Sequence, residues 1–512
     1  MFSDEDMKLT PRRTGAKEPQ ASTSSASTFA AASLFKVQPS RVPRDAFLLL
    51  RAFAPWRETF LPALYASLLI ITLCFSAQTF AQSTASVAAH ATATPESARD
   101  AAALYAEAEG YARKKYEALE REGIGYEQKL VEQVEREQRA LAARYAAEVA
   151  ARDTPGAKEV FYLGQLYNVA DDGERASATM RRFLADHPNA TSDEQQTARY
   201  VVALQTAKNG ARLEEAEAAL ADYLKVAGAN AAHERRYRVE TALALSYRGQ
   251  KQAERAIAHA RAAYDAARAL HAEKPLDTPT RDAVFYRTLS FISDAALDLK
   301  RTDEAIAVLQ ELRRLSLSFP SADLYRRANV LLNRIVPAVA YVSKPDDPLF
   351  RVETGARLAP EIAVADWIDQ KPATLSDLRG RVVLLDFWAL WCTPCHAALP
   401  HIAEWQEKYR ERGLSVVAFT EYRNTVNGRR VRTPQEVGEL RRFKRASRLP
   451  FGFAVADSLE TADRYGVTTI PVAVLIDRRG VVRFLNVGAH DQDIEELHQM
   501  IVRLLDEPDG GD

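Results

Sequence analysis

The hydrophobic period changes once along this chain, and that change fixes what it can fold into. From Arg99 onward, for about 240 residues, Ala, Glu, Arg and Leu recur at helical spacing with few Gly or Pro. Past KPDDPLF (344–350), a turn-rich boundary, short β-branched runs alternate with helical stretches. A helical stripe and a pleated face bury their apolar sides in different layers, so the prediction is a multidomain α plus α/β chain. The 512 residues leave room for this, and a net charge of -1 gives no whole-chain electrostatic case for nucleic acid.

Upstream of the helical stretch the signal is different. Residues 60–81 (FLPALYASLLIITLCFSAQTFA) are uncharged and about as long as a bilayer-spanning helix. Nine Lys or Arg precede this run in residues 1–57, and none follows it in 82–95. By the positive-inside rule the N-terminus stays in the cytoplasm and the remainder is exported, to the periplasm or the extracytoplasmic face of the membrane. Thr79-Phe80-Ala81 fits a signal-peptidase site, so 60–81 reads as a signal peptide or a transmembrane anchor. Leu73 stands before Cys74 where a lipoprotein would have a small residue. Residues 1–59 read as a disordered cytoplasmic leader, or as sequence ahead of a true start such as Val42; residues 82–98 read as a low-complexity linker.

Within the helical region, 99–343, FYLGQLYNVADDGERASATMRRFLADHP (161–188) places Leu163, Gly164, Tyr167, Ala176 and Pro188 at the offsets of a tetratricopeptide repeat. Leu243, Ala244, Tyr247 and Ala256 repeat the pattern, and Ala216 and Ala305 sit in similar contexts. The region resembles tetratricopeptide-like helical repeats, in which small residues let paired helices approach, and that resemblance implies a concave face for a protein partner. An irregular Ala-rich bundle is the alternative. Residues 99–152 read as a long helical hairpin.

The C-terminal domain is predicted over 355–505, after a linker at 344–354 and before a disordered tail at 506–512. VVLLDFW (382–388) and LSVVAFT (414–420) read as buried strands around an amphipathic helix at 393–413. A second helix over PQEVGELRRFKRA, strands at FGFAVAD, PVAVLID and VVRFLNV, and a closing helix from Asp491 complete one central sheet. Between the first strand and helix stands WALWCTPCH (388–396), which carries both the C-x-x-C-H of a c-type haem site and the C-x-x-C of a redox turn. Cys392 and Cys395 are two of only three cysteines, so one chain cannot build a four-cysteine zinc or iron–sulfur site.

LLDFWALWCTPC, Pro400 five residues after Cys395, and GVTTIPVAVLID (466–477) resemble the thioredoxin family. GARLAPEIAVADWIDQKPATLSDLRGRVVLLDFW (355–388) is similar to its exported TlpA-like/ResA-like branch, whose domains open with a hairpin. The resemblance implies a thioredoxin-like fold, no organic cofactor and no metal, and a cis peptide at Ile470-Pro471 that pairs with an extended substrate. It casts Asp386 as a buried carboxylate taking the proton of Cys395. A helix N-terminus favours an anion, so Cys392 is the expected nucleophile and Cys395 the resolving thiol. Pro394 stiffens the turn, Thr393 belongs to the same motif, and Trp391 covers the sulfurs. Trp388 reads as structural and His396 as a solvated helix residue. Where many TlpA-like sequences have a Glu, this chain has Ala398, which leaves Glu421 or Asp386 to assist.

β-rich sequence on both sides of the turn argues against a cytochrome, and WALWC lacks the Pro-x-x-x-Thr-x-x frame of a peroxidatic cysteine. The expected function is an exported thiol-disulfide oxidoreductase acting on protein thiols and disulfides, recharged by a membrane or soluble electron donor, with a helical module for partners. The alternative is a redox-sensing assembly scaffold without turnover. The basic loop 421–448 is longer than a minimal domain needs.

Overall fold

The computed structural model describes residues 99–122, 127–228, 232–336, 357–426 and 429–508. The expectations for the leader, for 60–81, for the linkers at 82–98 and 344–354, and for residues 509–512 lie outside the described residues. Among the described residues no helix is long and apolar enough to cross a membrane.

Among the described residues, eleven helices make the first part: α1 Ala101–Arg121, α2 Gln128–Ala150, α3 Ala157–Val169, α4 Gly173–Asp186, α5 Ser192–Asn209, α6 Leu213–Ala227, α7 His233–Gly249, α8 Ala253–Glu273, α9 Thr278–Asp298, α10 Thr302–Ser318 and α11 Ala322–Ile335. Each packs on the next, and several also on the next but one, so the core runs the length of the stack. Local chemistry starts these helices where the polar residues stand. Asp172, Thr191, Asp277 and Ser321 each accept an amide of the first turn through the side chain.

The pairs share one joint. Asp171, Lys251 and Lys300 all adopt φ 61°, and the next residue's amide reaches back five positions, from Asp172 to Tyr167 O, Gln252 to Tyr247 O and Arg301 to Ala296 O. Five residues past each left-handed residue comes Ala176, Ala256 or Ala305, all fully buried, as is Ala216 after the left-handed Gly210. A Cβ on Gly164 would stand 2.8 Å from the Met180 sulfur, so α3 and α4 approach closely only because position 164 is bare.

The second part is a six-stranded sheet in the order β1-β6-β3-β2-β7-β8, formed by β1 Asp366–Ile368, β2 Val382–Phe387, β3 Leu414–Glu421, β6 Phe453–Ala456, β7 Val472–Ile476 and β8 Val482–Val487. β4 Thr425–Val426 and β5 Arg429–Arg430 form a separate small ribbon. β2, β3 and β6 run parallel, whereas β7 is antiparallel to β2 and β8. Every residue of β2 is buried, as a central strand covered on both faces requires. The helices are α12 Thr393–Tyr409, α13 Pro434–Ala446, α14 Glu460–Arg464 and α15 Asp491–Asp506. Trp405 of α12 stacks on His498 of α15, which joins those two helices.

One finding differs from the sequence reading. The opening of the domain is not a hairpin among the described residues: Leu358 bridges to Val481 beside β8, while β1 pairs with β6 at the opposite edge. The leading segment is thus split across the sheet, with β1 as one edge strand and Leu358 at the other edge. The helical part packs on the sheet domain. Leu317, Ala322 and Tyr325 belong to the core of the sheet domain, and the Tyr325 ring meets Phe484 of β8 at 6.3 Å.

Candidate active site

β2 ends at Phe387, and the chain turns through Trp388 to Trp391 before α12 begins. Cys392 is the N-cap of α12. Its sulfur accepts the Cys395 amide at 3.2 Å, so it sits where the helix offers unsatisfied N–H groups and the positive end of the dipole. Pro394 lies within the first helical turn, where its missing N–H costs nothing. Cys392 and Cys395 form a disulfide with S–S 1.98 Å and Cα–Cα 5.3 Å, and both are buried.

Asp386 is the penultimate residue of β2. Its cross-strand neighbours are Ala418 on β3 and Ala473 on β7, two small residues that bring no charge or hydrogen-bonding group. The carboxyl is 3% exposed, and burial pushes its pKa up to about 7. The other acid considered, Glu421 at the end of β3, is held by Arg430 at 3.1 Å. Ala398 is buried on α12.

The peptide before Pro471 is cis. Val472 stands opposite Phe387 in the β2–β7 ladder, so Pro471 falls one step further, level with Trp388. Register alone therefore sets Ile470-Pro471 beside the turn that carries the cysteines. Trp391 is 63% exposed next to the buried disulfide, and Thr393 and Pro394 are exposed with it. An exposed indole at the mouth of a buried disulfide offers a flat apolar contact for an incoming chain.

Trp388 is a core residue: it stacks on Phe443 at 5.3 Å and tilts against Phe453 at 4.8 Å. The reading of His396 as solvated is corrected. Its ring lies 4.9 Å from Phe443, and its Nε2 is buried without a hydrogen-bond partner among the described residues. Phe443 of α13 covers both residues, and the sequence carried no sign of it because the contact spans 47 positions.

A family model described as the AhpC/TSA family matches residues 356–485. The thiol-disulfide oxidoreductase ResA of Bacillus cereus (strain ATCC 10987 / NRS 248) is 30% identical over 142 residues, which cover 28% of this chain and 72% of ResA. The chain belongs to the ResA-like thiol-disulfide oxidoreductases. The family-model match lies within the C-terminal part; the protein DipZ of Mycobacterium tuberculosis (strain CDC 1551 / Oshkosh) is 30% identical over 162 residues, 30% of this chain. The chain spans only 21% of the length of DipZ. A crystal structure described as a thiol:disulfide interchange protein DsbE, from Chlorobium tepidum, is 33% identical, covers 29% of this chain and 95% of its own, and has a TM-score of 0.25.

Proposed function

We propose that the chain is an exported thiol-disulfide oxidoreductase that exchanges disulfides with protein substrates through Cys392 and Cys395. The observation that carries the reading is the disulfide at a helix N-terminus, in the turn that follows a strand whose buried Asp386 carboxyl has its pKa pushed up to about 7. In the reducing direction the Cys392 thiolate attacks one sulfur of a substrate disulfide, and the displaced substrate sulfur leaves as a thiolate that takes a proton from solvent. Asp386 accepts the proton of Cys395, whose thiolate then attacks Cys392 Sγ. The second substrate thiol departs, two electrons have passed to the substrate, and the Cys392–Cys395 disulfide remains, to be reduced again by a dithiol donor, membrane-bound or soluble. The same steps reversed oxidise a substrate dithiol.

Ile470-Pro471 and Trp391 are assigned to substrate contact, with Thr393 and Pro394 shaping the turn. The helical domain is assigned to partner binding as a tetratricopeptide-like module. The repeated left-handed joints and buried alanines support that role, as does a cavity of about 250 Å³ walled by Leu245, Arg287, Phe291 and Asp294. Export rests on the sequence of residues 60–81. The domain limits 99–343 and 355–505 belong to the same reading.

Replacing Cys395 by Ser tests it. With insulin as the substrate disulfide, the variant should accumulate a mixed disulfide at Cys392 and turn over negligibly, and Cys392→Ser should form no adduct. If the wild type reduces no insulin and the Cys395→Ser chain traps nothing, while partner binding persists, the redox-sensing scaffold is the better account.

A further inference from the structure

The segment 465–470 joins α14 to the cis peptide at Pro471, and its anchors lie in the helical domain. α11 begins at Ala322, and its first amides have no partner within the helix. Ala322 N donates to Tyr465 O and Asp323 N to Gly466 O, each at 2.9 Å. Thr468 Oγ1 donates to Asp323 Oδ1 at 3.3 Å, and Arg326 (2.7 Å) and Arg327 (2.6 Å) fix that carboxylate. Gly466 adopts φ 56° with no room for a side chain, since a Cβ there would lie 2.9 Å from Ser321 Cα.

The anchor is itself held from behind. Ser321 is fully buried, caps α11 through the Leu324 amide and donates to Asp282. Asp282 is ion-paired with the buried Arg281 at 2.7 Å. On the other side Tyr465 donates to Pro360 O at 2.6 Å and meets the Phe387 ring at 5.7 Å, one residue beyond Asp386. The edge that leads to Pro471 is thus clamped between two domains.

We propose that the N-terminus of α11 is a positioning element of the redox site: Ser321, Ala322 and Asp323 hold 465–468 so that Ile470-Pro471 presents a fixed edge to an extended polypeptide substrate. The inference rests on the oxidoreductase reading and assigns the helical domain a share in substrate binding at the disulfide itself. Two substitutions in the full chain test it. Ala322→Pro keeps a residue suited to the first helical position, after an extended Ser321 (ψ 106°), deletes the amide that Tyr465 accepts and turns its ring against that carbonyl, so it breaks the anchor. Thr468→Val is isosteric and deletes the bond to Asp323.

The probes are insulin as the protein disulfide and 5,5′-dithiobis(2-nitrobenzoate) as a small disulfide that needs no peptide pairing. Ala322→Pro should raise KM for insulin at least about fivefold, since it loses one hydrogen bond and crowds its acceptor, and Thr468→Val about twofold. The kcat, the rate with the small disulfide and the glutathione-equilibrated potential should stay at wild-type values, while amide exchange over 466–470 accelerates. The proposal is overturned if both variants, with native circular dichroism, leave KM for insulin unchanged, or if the potential moves with KM. Should Ala322→Pro lose helical signal, Thr468→Val decides alone. A wild-type chain that reduces no insulin sinks the oxidoreductase reading instead; unchanged exchange at 466–470 in the variants then overturns the clamp.

Discussion

Replacing Asp386 by Asn should make the oxidised protein more stable, by an amount that depends on pH. Burial raises the Asp386 pKa from 3.8 to about 7, and the unfolded chain returns it to its ordinary value. Between those values the native state binds the extra proton, so stability falls as pH rises through this window and levels off above about pH 7. A shift of about three pKa units at 1.36 kcal/mol each gives a cost of about 4 kcal/mol at alkaline pH and about zero near pH 4. Asn carries no charge, so Asp386→Asn removes the pH-dependent part; its amide must still find partners, which makes 4 kcal/mol an upper figure. The assay is urea unfolding of the oxidised chain at a series of pH values, followed by tryptophan fluorescence. Four of the five tryptophans, Trp367, Trp388, Trp391 and Trp405, lie in the sheet domain, and with Trp56 replaced by Phe the emission follows the part that holds Asp386. Equal slopes of stability against pH in wild type and variant from about pH 4 to about pH 8 would refute the reasoning.

Two further outcomes follow from packing and charge elsewhere. Gly452 lies under the β1 edge, where a Cβ would stand 2.7 Å from the Asp369 carbonyl carbon, so Gly452→Ala should cost about 1–3 kcal/mol in the same unfolding assay. An unchanged urea midpoint contradicts that. His259 joins three helices: Nδ1 meets Glu240 of α7 at 2.7 Å and Nε2 meets Glu217 of α6 at 3.0 Å. Arg236 (3.6 Å) faces Glu240, and Arg255 (2.9 Å) and the Tyr247 hydroxyl (2.8 Å) face Glu217. Burial opposes the charged ring, but the two carboxylates outweigh it and raise the His259 pKa above 6.5. Its stabilisation is therefore full below 6.5 and lost as pH climbs through the raised value. Far-UV circular dichroism of urea unfolding should show His259→Gln with a flatter decline as pH rises above 6.5, and an identical decline argues against the pairing.

Periodicity was informative wherever a local pattern decides the structure. The Ala/Glu/Arg/Leu stretch is helical because its apolar stripe has one period, and VVLLDF is a strand because β-branched and Leu side chains fill both faces of a central position. Spacing also placed the four alanines at fully buried helix contacts. Contacts between distant segments left no such mark. The bond from Thr468 to Asp323 spans 145 residues, and nothing in SADLYRR or GVTTIP announces that they meet. The cover that Phe443 gives to His396 and Trp388 was hidden for the same reason, in a stretch that reads only as basic. The split of the leading segment between opposite sheet edges likewise depends on where β6 and β8 finish.

The central claim is that Cys392 and Cys395 are a reversible couple and not a fixed brace. Equilibrating the full chain with glutathione buffers of graded ratio, and reading the pair by thiol alkylation and mass, tests it most directly. The account predicts a single two-electron transition, in the range from about -270 mV, where thioredoxin reduces, to about -120 mV, where DsbA oxidises. A disulfide that stays closed across every buffer, in a chain that remains folded, contradicts it.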